Sequence, residues 1–364
     1  MVVTGGTAGK NPAAQLNASA MRPGRFLRRI ADGARASEEG VWRVAGRVAV
    51  TLPLVALAFA LTVLLIKGYP AIRVNGWKFL TGNTWSYGSG YGATVHTDGV
   101  AHPQGSSFGA LAIISGTLQS SAIALIVAVP ISIGAAFALT ERLPTWISRP
   151  LGFAIEVLAG IPSVVIGLWG LITLGPILAR DVYPVIGKHM PDVPVLNYFR
   201  GTPSATGQGL LTAGLVLGLM IIPIIASTTR DLFEQVPPLP KEGAAALGMT
   251  EWEVANKITI PWVRSGIIGA SVLGLGRALG ETVAVALVSG TFIGFTPNVF
   301  GHMTTIAATI LTQLDGAQID GTGFAVATLA ELGLVLAVIS VLVNLAARAI
   351  IGRSSALGPS VGPN

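Results

Sequence analysis

Six stretches of this 364-residue chain are apolar over lengths that a folded domain in water does not use: about 46–66, 109–139, 151–174, 209–227, 266–293 and 324–347. A helix needs roughly 20 predominantly apolar residues to cross the hydrocarbon core of a bilayer. In that core a helix satisfies its backbone polar groups internally, so the chain is expected to be an all-α integral membrane protein with six crossings. Composition agrees. Hydrophobic residues make up 51% and charged residues 11%, against about 25% charged in a soluble domain. Glycine, at 46 positions, suits helices packed closely in a membrane.

The arrangement of cations sets the topology. The tail up to Arg47, the turn 141–150, the segment 228–264 and the C-terminus hold 8, 2, 4 and 2 Lys/Arg, while the three remaining loops hold 3, 3 and 0. That asymmetry places both termini in the cytoplasm and accounts for the net charge of +6 without nucleic acid. Residues 1–44 read as a basic, disordered cytoplasmic tail and 353–364 as a short second tail, flanking a six-span membrane domain at 45–352. Ala58-Phe59-Ala60 mimics a signal cleavage site. The apolar run extends past it and exceeds a signal core of 7–15 residues, so an uncleaved first span is expected. The loop after it carries Trp77, Phe79, Trp85, Tyr87 and Tyr91, as a segment folded at the membrane interface would. The second span is long enough to tilt, protrude or kink at Pro130, and the third is interrupted at Pro162.

One cation remains inside a span. Arg277 lies in the stretch Leu273–Ser289, which reads as a single helix with Glu281 four residues on. Each charge costs roughly 2.5–3.5 kcal/mol at the centre of a membrane helix, so its default reading is functional. A spacing of four puts both on one face, within reach of each other or of one ligand. Gly276 and Gly280 stand in the spacing that lets a neighbouring helix approach. Glu156 and Glu331 lie in the third and sixth spans and either pair with Arg277 or line a path. Ser163, beside Pro162, is a candidate donor along such a path, its alternative being a bond to its own helix backbone.

Other chemistries are poorly provided for. With no cysteine, disulfides and thiolate sites are excluded. The four histidines, His96, His102, His189 and His302, have no metal-ligand spacing, and no metal site is expected. Thr4–Asn11 fails the phosphate-loop pattern at its first glycine position, Thr4, and after Lys10, where Asn11 stands. Nucleotide hydrolysis is therefore not expected of this chain.

Between the fourth and fifth spans, the charged segment 229–262 contains Glu242-Gly243-Ala244-Ala245-Ala246-Leu247-Gly248, nine residues, then Ile258-Thr259-Ile260-Pro261. The Ala-rich part favours a helix, Gly248 supplies a left-handed cap, and Thr250 precedes Glu251 and Glu253 as an N-cap before acids. Pro261 is expected to end the second helix and start the fifth span. Such a pair is shaped to fill a partner's groove.

This segment resembles the EAA signature of permease subunits of binding-protein-dependent ABC importers, in which it forms the coupling helix that docks on the ATPase. Glu242, Ala244, Gly248, Ile258 and Pro261 match, while Gly243 and Ile260 replace the usual Ala and Leu. From about Phe108 to Arg348 the chain resembles the phosphate-specific (Pst) permeases, through 108–125, 158–171 and 276–290. The PstC-type subunit fits better than the PstA-type because of the Gly-Leu-Trp-Gly at 167–170. The resemblance implies a type I importer permease in the cell membrane, not itself an enzyme. It implies an ABC ATPase dimer that uses ATP and Mg, a second permease of PstA type and an extracytoplasmic phosphate-binding protein as partners. It assigns Arg277 and Glu281 to phosphate passage. Sulfate or another oxyanion is the alternative substrate, and a passive anion channel the alternative class.

Overall fold

The computed structural model describes residues 23–88, 93–191, 193, 196–295 and 298–355. The chain divides into two units, residues 1–62 and 63–364. The first contains the start of α1 (Pro23–Asn75), which opens on a proline, a residue suited to the first helical turn. The expected disordered tail therefore does not reach residue 44: from Pro23 on the backbone is helical, through a stretch rich in Ala, Arg, Glu and Leu. The expectation for residues 1–22 and 356–364 falls outside the described residues. From Val44 on, side chains such as Val50, Leu54 and Phe59 are exposed, as a helix surrounded by hydrocarbon requires.

Among the described residues six helices are long and apolar enough to cross a membrane: Val44–Asn75, Leu111–Arg142, Ser163–His189, Leu210–Glu234, Glu251–Gly280 and Phe324–Ile351. The first is followed by a short α2 (Lys78–Thr81) and two small antiparallel sheets. One pairs β1 (Trp85–Ser86) with β4 (Ser107–Phe108), and the other is a hairpin of β2 (Thr94–Thr97) and β3 (Val100–Pro103). Asp98 and Gly99 both take positive φ, 51° and 76°, as a two-residue hairpin turn demands. Trp85 and Tyr87 meet Phe108 edge-on with centroids 5.0 and 5.7 Å away, and Phe108 packs on Phe324. The aromatics of this loop thus form a small core of their own, joined by Phe79, Ile113, Ile306 and Leu332; Tyr91 falls outside the described residues.

The second span is α3 (Leu111–Phe137), continuous through Pro130, plus a π-turn, Ala138–Arg142. It packs along α8 (Leu210–Glu234), the fourth span. A Cβ at Gly214 would lie 2.5 Å from Ile123 Cγ2, so only glycine admits this approach. Ala124, Ala128, Ala213, Val216, Leu217 and Ile221 fill the seam.

The third span differs from expectation. Residues 151–174 do not form one interrupted crossing. α4 (Thr145–Ala159) stops, Gly160 to Pro162 break the helix, and a new one starts at Ser163. Proline has no N–H and pushes the residue before it out of the helical region, so Ile161-Pro162 ends one helix and begins the next. The new helix comprises α5 (Ser163–Trp169), α6 (Gly175–Ile177) and α7 (Tyr183–His189), joined by π-turns at Gly170–Leu174 and Leu178–Val182.

After α9 (Pro238–Ala246), α10 (Glu251–Val254) passes through a π-turn, Ala255–Thr259, directly into α11 (Ile260–Gly280). Pro261 therefore does not end the second helix of this segment. It occupies the first turn of α11 just after the π-turn, where the regular ladder is already interrupted. The fifth span stops at Gly280, and α12 (Val283–Ser289) follows. Within the stretch expected as a loop, 294–322, α13 (Ile306–Gln318) is a capped helix whose Ile306, Ala308 and Thr309 are fully buried. The sixth span is α14 (Phe324–Ser355).

Candidate functional site

The helix break after Gly280 changes the geometry around Arg277. Glu281 is extended (φ −71°, ψ 126°) and Thr282 leaves the helical ladder as well. The Thr282 hydroxyl donates to the Gly280 carbonyl at 3.1 Å, satisfying one acceptor that the break exposes. Arg277 and Glu281 are thus not a turn apart on one helix face as the spacing of four suggested, and no intrahelical pair between them forms. Gly276 and Gly280 precede the two residues, and glycine is the poorest non-proline helix former, so little propensity opposes the break. Among the described residues neither side chain has a hydrogen bond or an ion pair. Arg277 is exposed and Glu281 half-buried. A Cβ at Gly276 or Gly280 would meet nothing within 4 Å, so this face of α11 is open within the chain.

The helices that follow the two breaks pack on each other. A Cβ at Gly167 would touch Ala284, and one at Gly170 would touch Val288. α5 and α12 therefore run side by side in the same direction. Ser163, the first residue of α5, is half-buried, and its hydroxyl has no partner among the described residues, neither the backbone carbonyl expected as the alternative nor any other.

The other two intramembrane carboxylates are engaged elsewhere. Arg230 Nη2 donates to Glu156 Oε1 at 3.1 Å and also pairs with Asp231 and Glu234 at 3.4 and 3.8 Å. Gly152 makes room for this guanidinium, since a Cβ there would lie 2.5 Å from Arg230 Nη1. Glu156 is therefore paired with Arg230 rather than with Arg277, with its side chain 52% exposed. Glu331, 5% exposed, accepts a 2.9 Å hydrogen bond from the Asn75 amide, so it ties α14 to the end of α1.

The segment between the fourth and fifth spans is built as two capped helices. Gly248 has φ +83°, its N–H donates to the Ala245 carbonyl at 2.9 Å, and the Met249 N–H donates to Ala244 at 3.2 Å. This is the paired closure by which a left-handed glycine ends a helix. Thr250 then starts α10 with a reciprocal cap: its hydroxyl accepts from the Glu253 N–H, and the Glu253 carboxylate accepts from the Thr250 N–H. Ala244 is buried, Ile258 half-buried, and Glu242, Gly243, Gly248 and Pro261 are exposed. Glu242 borders a cleft of about 230 Å³ with Glu141, Lys241, Met249 and Glu251. Leu247, Leu239 and Trp252 are 82%, 77% and 58% exposed on this otherwise polar segment. Among the described residues no cluster of three His, Asp or Glu is placed to hold a metal ion.

The profile of the family described as binding-protein-dependent transport system inner membrane component matches residues 128–355. This chain belongs to that family. The permease is similar to phosphate transport system permease protein PstC 1 of Mycobacterium tuberculosis, 56% identical over 334 residues, which cover 90% of this chain and 98% of the relative. It is similar to PstC of Mesorhizobium japonicum, 40% identical over 319 residues, covering 87% and 91% of the two chains. Among solved structures, a chain from inward-facing conformations of the MetNI methionine ABC transporter aligns with 67% of this permease and 96% of its own length, at 15% identity and a TM-score of 0.46. The permease is a multi-pass membrane protein and a transport subunit rather than an enzyme.

Proposed function

We infer that this permease is one transmembrane subunit of an ATP-driven importer, passing inorganic phosphate from an extracytoplasmic binding protein into the cytoplasm. The observation that carries the reading is Arg277, an exposed guanidinium without a partner among the described residues, one turn before a helix break in the fifth span. A phosphate that leaves water needs charge compensation and charge-assisted donors, and a guanidinium offers both in a planar fork. Interrupted membrane helices are a recurrent way to place polar groups at a transport site. Glu281 sits beside this group without being held by it. Phosphate near neutral pH keeps at least one proton, which a carboxylate can accept as a hydrogen bond; sulfate has none to give. Glu281 therefore serves to disfavour fully ionised anions, and the Ser163 and Thr282 hydroxyls are further donors along the path. The phosphate named for the relatives supports the same substrate.

The energy source is a separate ABC ATPase dimer that binds ATP and Mg and docks on the segment around Glu242, Gly248 and Pro261. The exposed Leu239, Leu247 and Trp252 supply apolar surface for that contact. A second permease of PstA type covers the open face at Gly276 and Gly280. The test is uptake into proteoliposomes carrying the four kinds of subunit. Phosphate accumulation that requires ATP and is not displaced by excess sulfate is the expected result. Accumulation without ATP would make the chain a passive channel, and equal uptake of sulfate would remove the role given to Glu281.

A further inference from the structure

The end of the second span is fastened to both halves of the segment on which the ATPase is placed above. Lys241 Nζ, in α9, donates to Glu141 Oε1 at 2.6 Å and to the Phe233 carbonyl at 3.5 Å. On the other side of Gly248, Glu251 of α10 pairs with Arg142 Nη1 at 2.9 Å. Trp252 meets the ring of Phe137 edge-on, with centroids 5.8 Å apart, and the Arg142 guanidinium lies 5.9 Å from the same ring. Two consecutive residues, Glu141 and Arg142, thus each hold one helix of the segment. They close the π-turn Ala138–Arg142, which Ser148 also pins through its bond to the Leu139 carbonyl. Beneath them Ala136, Phe233, Val236, Val263 and Ile267 form a core shared by the second, fourth and fifth spans.

The two ion pairs are not equivalent. Arg142 and Glu251 are 54% and 62% exposed, and a pair so wet contributes little. Lys241 and Glu141 are 20% and 26% exposed, so loss of either partner leaves a largely desolvated charge without compensation. The fifth span is continuous with α10 and must follow any movement of it. The second span has no such covalent route.

We propose that Glu141 is a positioning residue for transport: through Lys241 it couples the second span to the docking segment, so that a displacement imposed there moves the second and fifth spans together. This rests on the reading of that segment as the ATPase contact. The experiment measures phosphate uptake and ATP hydrolysis in the same proteoliposomes of the complete complex, normalised to copurified ATPase. Glu141→Gln and Lys241→Gln should each lower the phosphate moved per ATP by roughly fivefold. The exchanged pair, Glu141→Lys with Lys241→Glu, should recover most of it. An unchanged ratio in the single variants, or no recovery in the exchange, overturns the proposal. A second measurement covers variants that fail to assemble. Because the chain has no cysteine, Glu141→Cys and Lys241→Cys can be joined selectively by a short bis-thiol reagent. Joined elements that travel together should transport at the normal ratio; a joined complex that hydrolyses ATP without transport overturns the proposal. If the unmodified complex imports no phosphate, the functional reading fails instead.

Discussion

Arg277→Ala separates a transport role from a structural one because, among the described residues, the side chain has no ion pair or hydrogen bond to lose. It is exposed and makes no ion pair or side-chain hydrogen bond among the described residues. A substitution of that kind changes stability by no more than about 0.5 kcal/mol. Its contribution to a passing phosphate is larger. Two charge-assisted hydrogen bonds from the fork, each at the low end of about 1.5–3 kcal/mol in a solvent-accessible path, amount to roughly 3 kcal/mol. At about 1.4 kcal/mol per decade, uptake at limiting phosphate should fall about a hundredfold. Arg277→Lys keeps the charge but not the planar fork and should lie between the two, about tenfold below the unmodified protein. Labelled phosphate uptake and thermal unfolding of the same purified complex are the paired assays. Normal uptake in Arg277→Ala would refute the argument. So would a loss of uptake accompanied by a comparable loss of thermal stability, which would make Arg277 a structural residue held by a subunit outside this chain.

Two further outcomes follow from the geometry. Glu156→Ala should leave phosphate uptake intact and lower stability by less than about 1 kcal/mol, because Arg230 retains Asp231 and Glu234 as partners; a transport defect with unchanged unfolding would return Glu156 to the pathway. Asp320 caps the start of the sixth span, its carboxylate accepting from the Thr322 and Ala325 N–H groups, both at 2.9 Å, and from the Thr322 hydroxyl. Burial pushes its pKa up, but these hydrogen bonds outweigh burial and hold it below the usual carboxylate range. A depressed folded pKa gives stability that is present above the unfolded value, near 3.9, and is lost as pH falls through the folded one. Thermal unfolding of the wild type should therefore show a loss below about pH 4 that Asp320→Asn lacks; an identical acid profile in both would remove the cap from the account.

What could be read from the sequence was what local chemistry determines. Gly248 and the Thr250-to-Glu253 cap are legible because a left-handed glycine and a reciprocal cap need only residues within six positions. The apolar spans are legible because the bilayer imposes a length. The hairpin at 94–103 also had a local signal, Asp98-Gly99 between alternating residues, which a reading dominated by membrane spans passed over. The pairing of Glu156 with Arg230 had none, since the two are 74 positions apart and meet where α4 packs on α8 with Gly152 beside the guanidinium. Hydropathy likewise could not place the third span. Residues 151–159 are as apolar as those after Ser163, and only the backbone constraint at Ile161-Pro162 decides where one helix stops.

The break at Glu281 explains how a span can carry two costly charges without neutralising them. On an unbroken helix a spacing of four would have favoured a pair, and a paired guanidinium is a poor receptor because the anion must first displace a carboxylate. Extending the backbone at Glu281 removes that competitor from the helix face of Arg277. The cost of leaving Arg277 unpaired is bearable only where water or another subunit reaches it, which agrees with its exposure and with the uncovered glycines beside it. The same helix continues from Gly280 back through Pro261 to the capped turn at Thr250 without a gap. The capped end is thereby joined to the cation 27 residues on by one continuous helical stretch, while the break just beyond Arg277 separates it from α12, which packs on α5.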